Sequence, residues 1–169
     1  MEQLNILTYP DKNLRGLSKP VDNIDGALIG LINNMTSIMY ASSGVGLAAI
    51  QVGIEKKIII YDIEQENGKR ALQTLINPKI ISMDGKTISE NEGCLSLPDL
   101  RANVKRAASV FAKGIDRDGN PLEIEAEGLL SIVLQHEIDH LNGVLFIDHI
   151  SALKRNLYKK RVKKKLQKG

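Results

Sequence analysis

Apolar residues recur at helical spacing twice along the chain. Ile24, Leu28, Ile32, Met35 and Met39 share one face, with Asp22 a start signal and Gly44 a stop, which predicts a helix over about 22–42. Leu129, Leu130, Ile132, Val133, Leu134, Ile138 and Leu141 repeat the pattern more densely and run into Asn142-Gly143. They predict a second helix over 128–142. Between the two, Lys57-Ile58-Ile59-Ile60-Tyr61 reads as a buried strand within 56–63, followed by a turn at Glu66-Asn67-Gly68-Lys69. Further strands are expected at 71–76, 79–88, 101–115 and 121–126, with a hairpin turn over 116–121. Residues 1–21, punctuated by Pro10, Gly16 and Pro20, read as loop. The end of the chain predicts a third helix at about 151–167, begun by Ser151 and striped by Leu153, Leu157, Val162 and Leu166. Strands follow one another and helices flank them. The expected fold is therefore α+β, with antiparallel sheets packed around a central helix at 128–142 and a helix near each end.

Composition narrows the class without naming it. At 169 residues the chain reads as a single domain spanning 1–169, long enough to bury a core. A lone cysteine excludes an internal disulfide, and a working thiolate suits a reducing compartment. There is no apolar run long enough for a membrane span and no signal-peptide pattern, so the expectation is a cytoplasmic protein without a membrane partner. The net charge of +3 conceals an asymmetry. Residues 1–148 hold 14 Lys/Arg against all 20 Asp/Glu, a net −6, whereas 149–169 hold nine Lys/Arg and no acid. A basic tail on an acidic body points to a polyanionic partner.

The chemistry concentrates in Gln135-His136-Glu137-Ile138-Asp139-His140. Positions i and i+4 of a helix lie nearly one above the other, so His136 and His140 can aim two imidazoles at one divalent ion. Glu137 starts beside the first ligand, where a carboxylate can act on an attacking water without ligating. Asp139 points about 100° away from His140 and reads as a supporting carboxylate. The third ligand decides the reaction class. No glutamate follows Glu137, which removes the gluzincin pattern, and Phe146 stands where a metzincin would place its third histidine. His149 comes three residues too late for that pattern. Cys94 remains, and as thiolate it would leave a fourth position open, the mark of a catalytic site. The alternative for Cys94 is a small buried hydrophobe.

Gly44-Val45-Gly46-Leu47-Ala48-Ala49-Ile50-Gln51, Glu92-Gly93-Cys94-Leu95-Ser96 and Gln135-His136-Glu137-Ile138-Asp139-His140-Leu141 together resemble the three signature motifs of the peptide deformylases, in that family's order. Ile6-Leu7-Thr8-Tyr9-Pro10-Asp11, Arg101 seven residues after Cys94, and the chain length extend the resemblance over nearly the whole sequence. The first motif also satisfies Gly-x-Gly-x-x-Ala, with Asp62 at a ribose-binding distance. That dinucleotide reading fails because a helix, not a strand, is expected before it.

The resemblance implies a metal-dependent hydrolase that removes the formyl group from the N-terminal formylmethionine of nascent peptides and releases formate. Cys94, His136 and His140 would be the ligands and Glu137 the general base. Gln51, through its side chain, and Leu95, through its backbone N–H, would stabilise the oxyanion. It makes Val45, Gly46 and Gly93 backbone partners of an extended peptide, in the manner of strand addition, and places Arg101 beside that peptide. Ile132 and Val133, four and three residues before His136, lie on the ligand face and could wall a methionine pocket. Thiolate and imidazole donors accept zinc, nickel, cobalt or ferrous iron. Similarity to the family favours Fe(II) as the native ion, and similarity to its bacterial members with a long C-terminal helix implies docking on the ribosome through the basic tail. Two other readings remain at this point. One is a non-enzymatic nucleic-acid-binding protein with a structural metal; the other is a zinc endopeptidase, which would lack its customary third ligand.

Overall fold

In the computed structural model, residues 4–63, 68 and 70–168 are described. The expected turn at 66–69 lies, apart from Gly68, outside these residues. The chain builds α1 (Gly26–Ala41), β1 (Gly46–Ala48), β2 (Ile58–Tyr61), β3 (Gln73–Asp84), β4 (Thr87–Cys94), β5 (Leu97–Arg106), β6 (Ser109–Ile115), β7 (Pro121–Glu127), α2 (Gly128–Leu141) and α3 (Ala152–Lys168). The class is α+β, as the pattern predicts.

Five strands form one antiparallel sheet in the order β1-β2-β3-β6-β7, and β4 pairs with β5 in a separate two-stranded sheet. The continuous apolar run in β2 follows from burial on both faces. Ile58 and Ile60 pack with Leu28, Ile32, Met35 and Met39 of α1, whereas Ile59 and Tyr61 pack with Val133, Leu134, Ile138 and Leu141 of α2. Period two in the strand thus meets helical periodicity on either side. Each fully buried Ile or Leu contributes roughly 2 kcal/mol of transfer free energy. The sheet therefore fixes α2 firmly in place.

The structure departs from the sequence pattern in several places: β1 is a strand that the pattern does not predict, and a helical turn at Lys12–Arg15 interrupts the expected loop. Helix α1 starts at Asp25 instead of Asp22, because the Asp25 carboxylate accepts the Leu28 N–H at 2.9 Å and caps the free end. Strand β3 runs unbroken through Asn77-Pro78. A bulge there places one extra residue on β3 between the Ile76–Ile115 and Lys79–Lys113 pairs, and Asn77 takes φ 52°. The Asn77 side chain closes the irregularity by pairing with both backbone groups of Val21 at 2.8 Å. Finally, the span expected as one strand at 101–115 is the end of β5, a two-residue connection and β6, and β4 as a separate strand was not expected at all.

Helix α3 begins after Ser151, whose hydroxyl accepts the Lys154 N–H at 3.3 Å. Of its expected apolar stripe, only Val162 packs on the body; Leu153, Leu157 and Leu166 are exposed. The anchor is Tyr158, 3% exposed, with its hydroxyl donating to Pro98 O at 3.1 Å.

Candidate active site

Helix α2 carries the site because its interior face is polar at three consecutive residues. Gln135, His136 and Glu137 are all buried, as is His140 one turn on. Gln135 is absorbed by structure: its amide oxygen accepts the Ala107 N–H at 2.9 Å and its nitrogen donates to Ala107 O at 3.0 Å. His136 and His140 face one another edge-on, with ring centroids 5.1 Å apart. Cys94 meets them from the tip of the β4–β5 hairpin, where the Cys94–Leu97 pair brackets a two-residue turn. Its sulfur lies 3.3 Å from His140 Nε2, and one donor atom from each of the three residues falls within 4.8 Å of the others.

This trio fits a divalent ion. Its donors are one soft sulfur and two imidazole nitrogens, a set suited to zinc or to a late first-row metal. Glu92 accepts from His136 Nδ1 at 2.7 Å, which turns Nε2 of that ring towards the cluster. Burial drives the His140 pKa well below the ordinary imidazole range, with the charges of His136 and Arg106 adding to it, so a lone pair is available. At His136 burial also disfavours charge, but hydrogen bonds with Cys94 and Glu92 overcome it and hold the pKa above the ordinary value. Asp139 lies outside the trio. Phe146, in the metzincin histidine's place, stacks on the His136 ring at 6.0 Å.

Glu137 is 5% exposed, and its Oε2 finds no hydrogen-bond partner among the described residues. Burial pushes its pKa up to about 7, the range in which a carboxylate exchanges protons near neutrality. The first motif supplies its neighbour. A β-carbon on Gly46 would clash with the Glu137 carboxylate, so only glycine lets β1 pass this closely.

Gln51 sits in a single helical turn directly after β1. Its side-chain oxygen accepts the Ala48 N–H at 2.8 Å, which turns its nitrogen towards Ser96 Oγ at 3.1 Å and Cys94 Sγ at 3.6 Å. The opening segment holds both walls of this corner: Leu7 N–H donates to Gln51 O at 2.7 Å and Tyr9 N–H to Ser96 O at 2.8 Å.

A cleft of about 500 Å³ opens beside the cluster. Val45, Gly46, Gln51, Gly93, Cys94, Leu95, Arg101, Ile132, Val133, His136 and Glu137 all line it, whereas His140 does not. Leu129 joins them, 56% exposed, a residue that sequence spacing marks only as part of the helix's apolar pattern. The cleft runs between β1, an edge strand among the described residues, and the two-stranded sheet. Arg101 covers Gly93 so closely that any side chain at 93 would strike its guanidinium.

Sequence reasoning gave no role to Glu92, although the residue was in plain sight two positions before Cys94. Arg106 was missed altogether. It is buried and holds Glu92 through Nε at 3.2 Å and Nη2 at 2.5 Å, while Nη1 reaches Asp139 at 2.7 Å. Those contacts, with the bond to His136, hold the Glu92 carboxyl down at about 2 against the opposing effect of burial.

Comparison with known proteins places this arrangement. The family model described as polypeptide deformylase matches residues 3–156. The peptide deformylase of Desulfosudis oleivorans is 52% identical over 167 residues, covering 99% of this chain and 96% of that protein. Among solved structures, a peptide deformylase from Legionella pneumophila superimposes with TM-score 0.89 at 44% identity, covering 97% of this chain and 95% of that one. A Met-Ala-Ser-bound peptide deformylase from Acinetobacter baumannii gives TM-score 0.81 at 32% identity, covering 87% and 98% respectively. A half-buried cysteine sulfur beside two buried imidazoles, an adjoining carboxylate and a likeness that covers nearly the whole chain converge on one conclusion: the chain belongs to the polypeptide deformylase family.

Proposed function

We propose that Cys94, His136 and His140 hold the metal of this deformylase and that Glu137 is its general base. The carrying observation is the convergence of the three donors within 4.8 Å beside a buried carboxylate with an unpartnered oxygen. As a family member the chain is a metal-dependent hydrolase that takes the formyl group from the N-terminal formylmethionine of newly made proteins. The whole chain, 1–169, acts as one catalytic domain.

A divalent ion in this trio supplies Lewis acidity, which makes water a competent nucleophile near neutral pH and polarises the formyl carbonyl. The protein's own groups do the rest. Glu137 takes a proton from the attacking water and returns it to the departing amine, so that formate and a free N-terminus leave. The Gln51 Nε2–H and the Leu95 backbone N–H donate to the oxygen that becomes negative; losing one such donor typically costs ~3 kcal/mol of barrier. The peptide adds as a strand along the edge of β1, with Val45 and Gly46 on one side and Gly93 on the other. Ile132, Val133 and the exposed Leu129 receive the methionine side chain, and Arg101 stands over the chain that follows. Relevant support is that a relative was solved with Met-Ala-Ser bound.

Fe(II) is the native ion in this reading, with zinc, nickel or cobalt able to replace it, as the thiolate–imidazole set allows. An oxidisable thiolate and ferrous iron fit a reducing cytoplasm. Among the described residues no helix is long and apolar enough to cross a membrane. Helix α3 docks the enzyme on the ribosome: Lys154, Lys159, Lys160, Lys163 and Lys164 contact phosphates without reading sequence. The exposed Leu153 and Leu157, one turn apart, add an apolar contact. Arg161 and Lys165 are already engaged with Asp99.

Formate release from formyl-Met-Ala-Ser tests the enzymatic reading. Release that stops with chelator supports it, and release unaffected by chelator refutes it. For docking, co-sedimentation with ribosomes should fall when the five outward lysines become glutamine, and unchanged co-sedimentation would refute the role of α3.

A further inference from the structure

We propose that His149 is a positioning residue for the metal centre, acting through Asp139 and Arg106 on the carboxylate that orients His136. His149 is the one histidine outside the helix motif. It lies in the single helical turn Phe146–His149 that follows α2. Its Nε2 donates to Asp139 Oδ2 at 2.9 Å, the same oxygen that accepts Arg106 Nη1 at 2.7 Å. Arg106 carries the connection inward to Glu92, and Glu92 to His136 Nδ1 at 2.7 Å.

Burial rises along this chain of bonds. The side chain of His149 is 35% exposed and that of Asp139 28%, whereas Arg106 and Glu92 are 3% and 5% exposed. Arg106 is held at three points by two acids, and only the outer acid can swing into water. Arg106, Gln135, Asp139 and His149 line a second cleft, of about 670 Å³, which gives solvent access to that acid. The donor at 149 keeps Asp139 turned inward over Arg106. Without it, Asp139 rotates to water, Arg106 loses one of its three anchors, and the Glu92 carboxylate is freed to turn with it. Carboxylates bonded to ligating histidines fix the ring's orientation and basicity, and removing one costs ten- to a hundredfold in metal affinity. His149 stands further out, so its effect is smaller but of the same kind.

The inference rests on Cys94, His136 and His140 being the ligands. The test uses the full chain loaded with Co(II), whose visible absorption reports ligand geometry, and Co(II) affinity measured by competition with a chelator. His149→Phe should weaken affinity about fivefold and alter the cobalt spectrum, a fraction of the loss seen on removing a direct partner. His149→Gln, whose amide nitrogen replaces Nε2, should restore affinity to within about twofold and recover the spectrum. An unchanged spectrum and affinity in His149→Phe would overturn the inference, whatever its melting temperature. So would a glutamine variant as weak as the phenylalanine one. If the parent chain binds no cobalt, the ligand assignment itself fails.

Discussion

A β-carbon placed on Gly46 would lie 2.5 Å from Glu137 Oε1 and 2.9 Å from its carboxyl carbon. The first and third motifs therefore meet as one constraint: β1 is smooth at this point so that a buried carboxylate can stand against it. Gly46→Ala should displace Glu137 while leaving the three metal donors in place. Misplacing a reacting group by about 1 Å costs on the order of 100-fold, so kcat/KM should fall by about that factor at unchanged metal content. Kinetics and elemental analysis on one preparation decide it, and a variant within threefold of the parent would show that the contact is slack.

Glu137→Gln separates base from ligand. The amide keeps shape but accepts no proton, so turnover should drop about 10²- to 10⁴-fold with the metal retained. Loss of metal from this variant would make Glu137 a ligand and void the proton-transfer role.

Cys94→Ser replaces a soft donor by a hard hydroxyl at the hairpin tip. Metal retained after dialysis against chelator should fall well below that of the parent, and formate release with it. Full retention of both would remove Cys94 from the centre.

Legibility varied with what each element buries. Helix α2 was clear because its apolar period and terminal Asn142-Gly143 agree. Strand β4 was not, because the face it turns inward carries Ser89 and Glu92, polar residues that no hydrophobic pattern marks. Pro78 lies between the spans expected as separate strands at 71–76 and 79–88, yet a bulge removes the need for a ladder N–H there and β3 continues. The residues proposed as ligands and base are legible at fixed helical spacing or in short motifs. Arg106 was illegible because its partners lie 14 and 33 residues away and meet only through the fold. Tyr158 was passed over as the anchor of α3 because the leucines made the more obvious stripe.

Asp148 gives a pH test away from the metal. Burial favours its neutral form, but hydrogen bonds from Arg15 and the Leu145 N–H hold its pKa below the ordinary carboxylate value of 3.8. A depressed folded-state pKa stabilises the protein above the unfolded value and loses that contribution as pH falls through the folded one. Asp148→Asn should therefore lower the melting temperature at pH 7 and converge on the parent as pH falls below about 4. Parallel curves over that range would show that the pair with Arg15 contributes nothing.

The central claim is that deformylation depends on one ion held by Cys94, His136 and His140. Chelator-stripped protein, titrated anaerobically with Fe(II) while formate release from formyl-Met-Ala-Ser is followed, tests it most directly. Activity should rise linearly and break at one ion per chain, and Cys94→Ser should show no such break. Activity present before any metal is added, or an identical break in the Cys94 variant, would contradict the account.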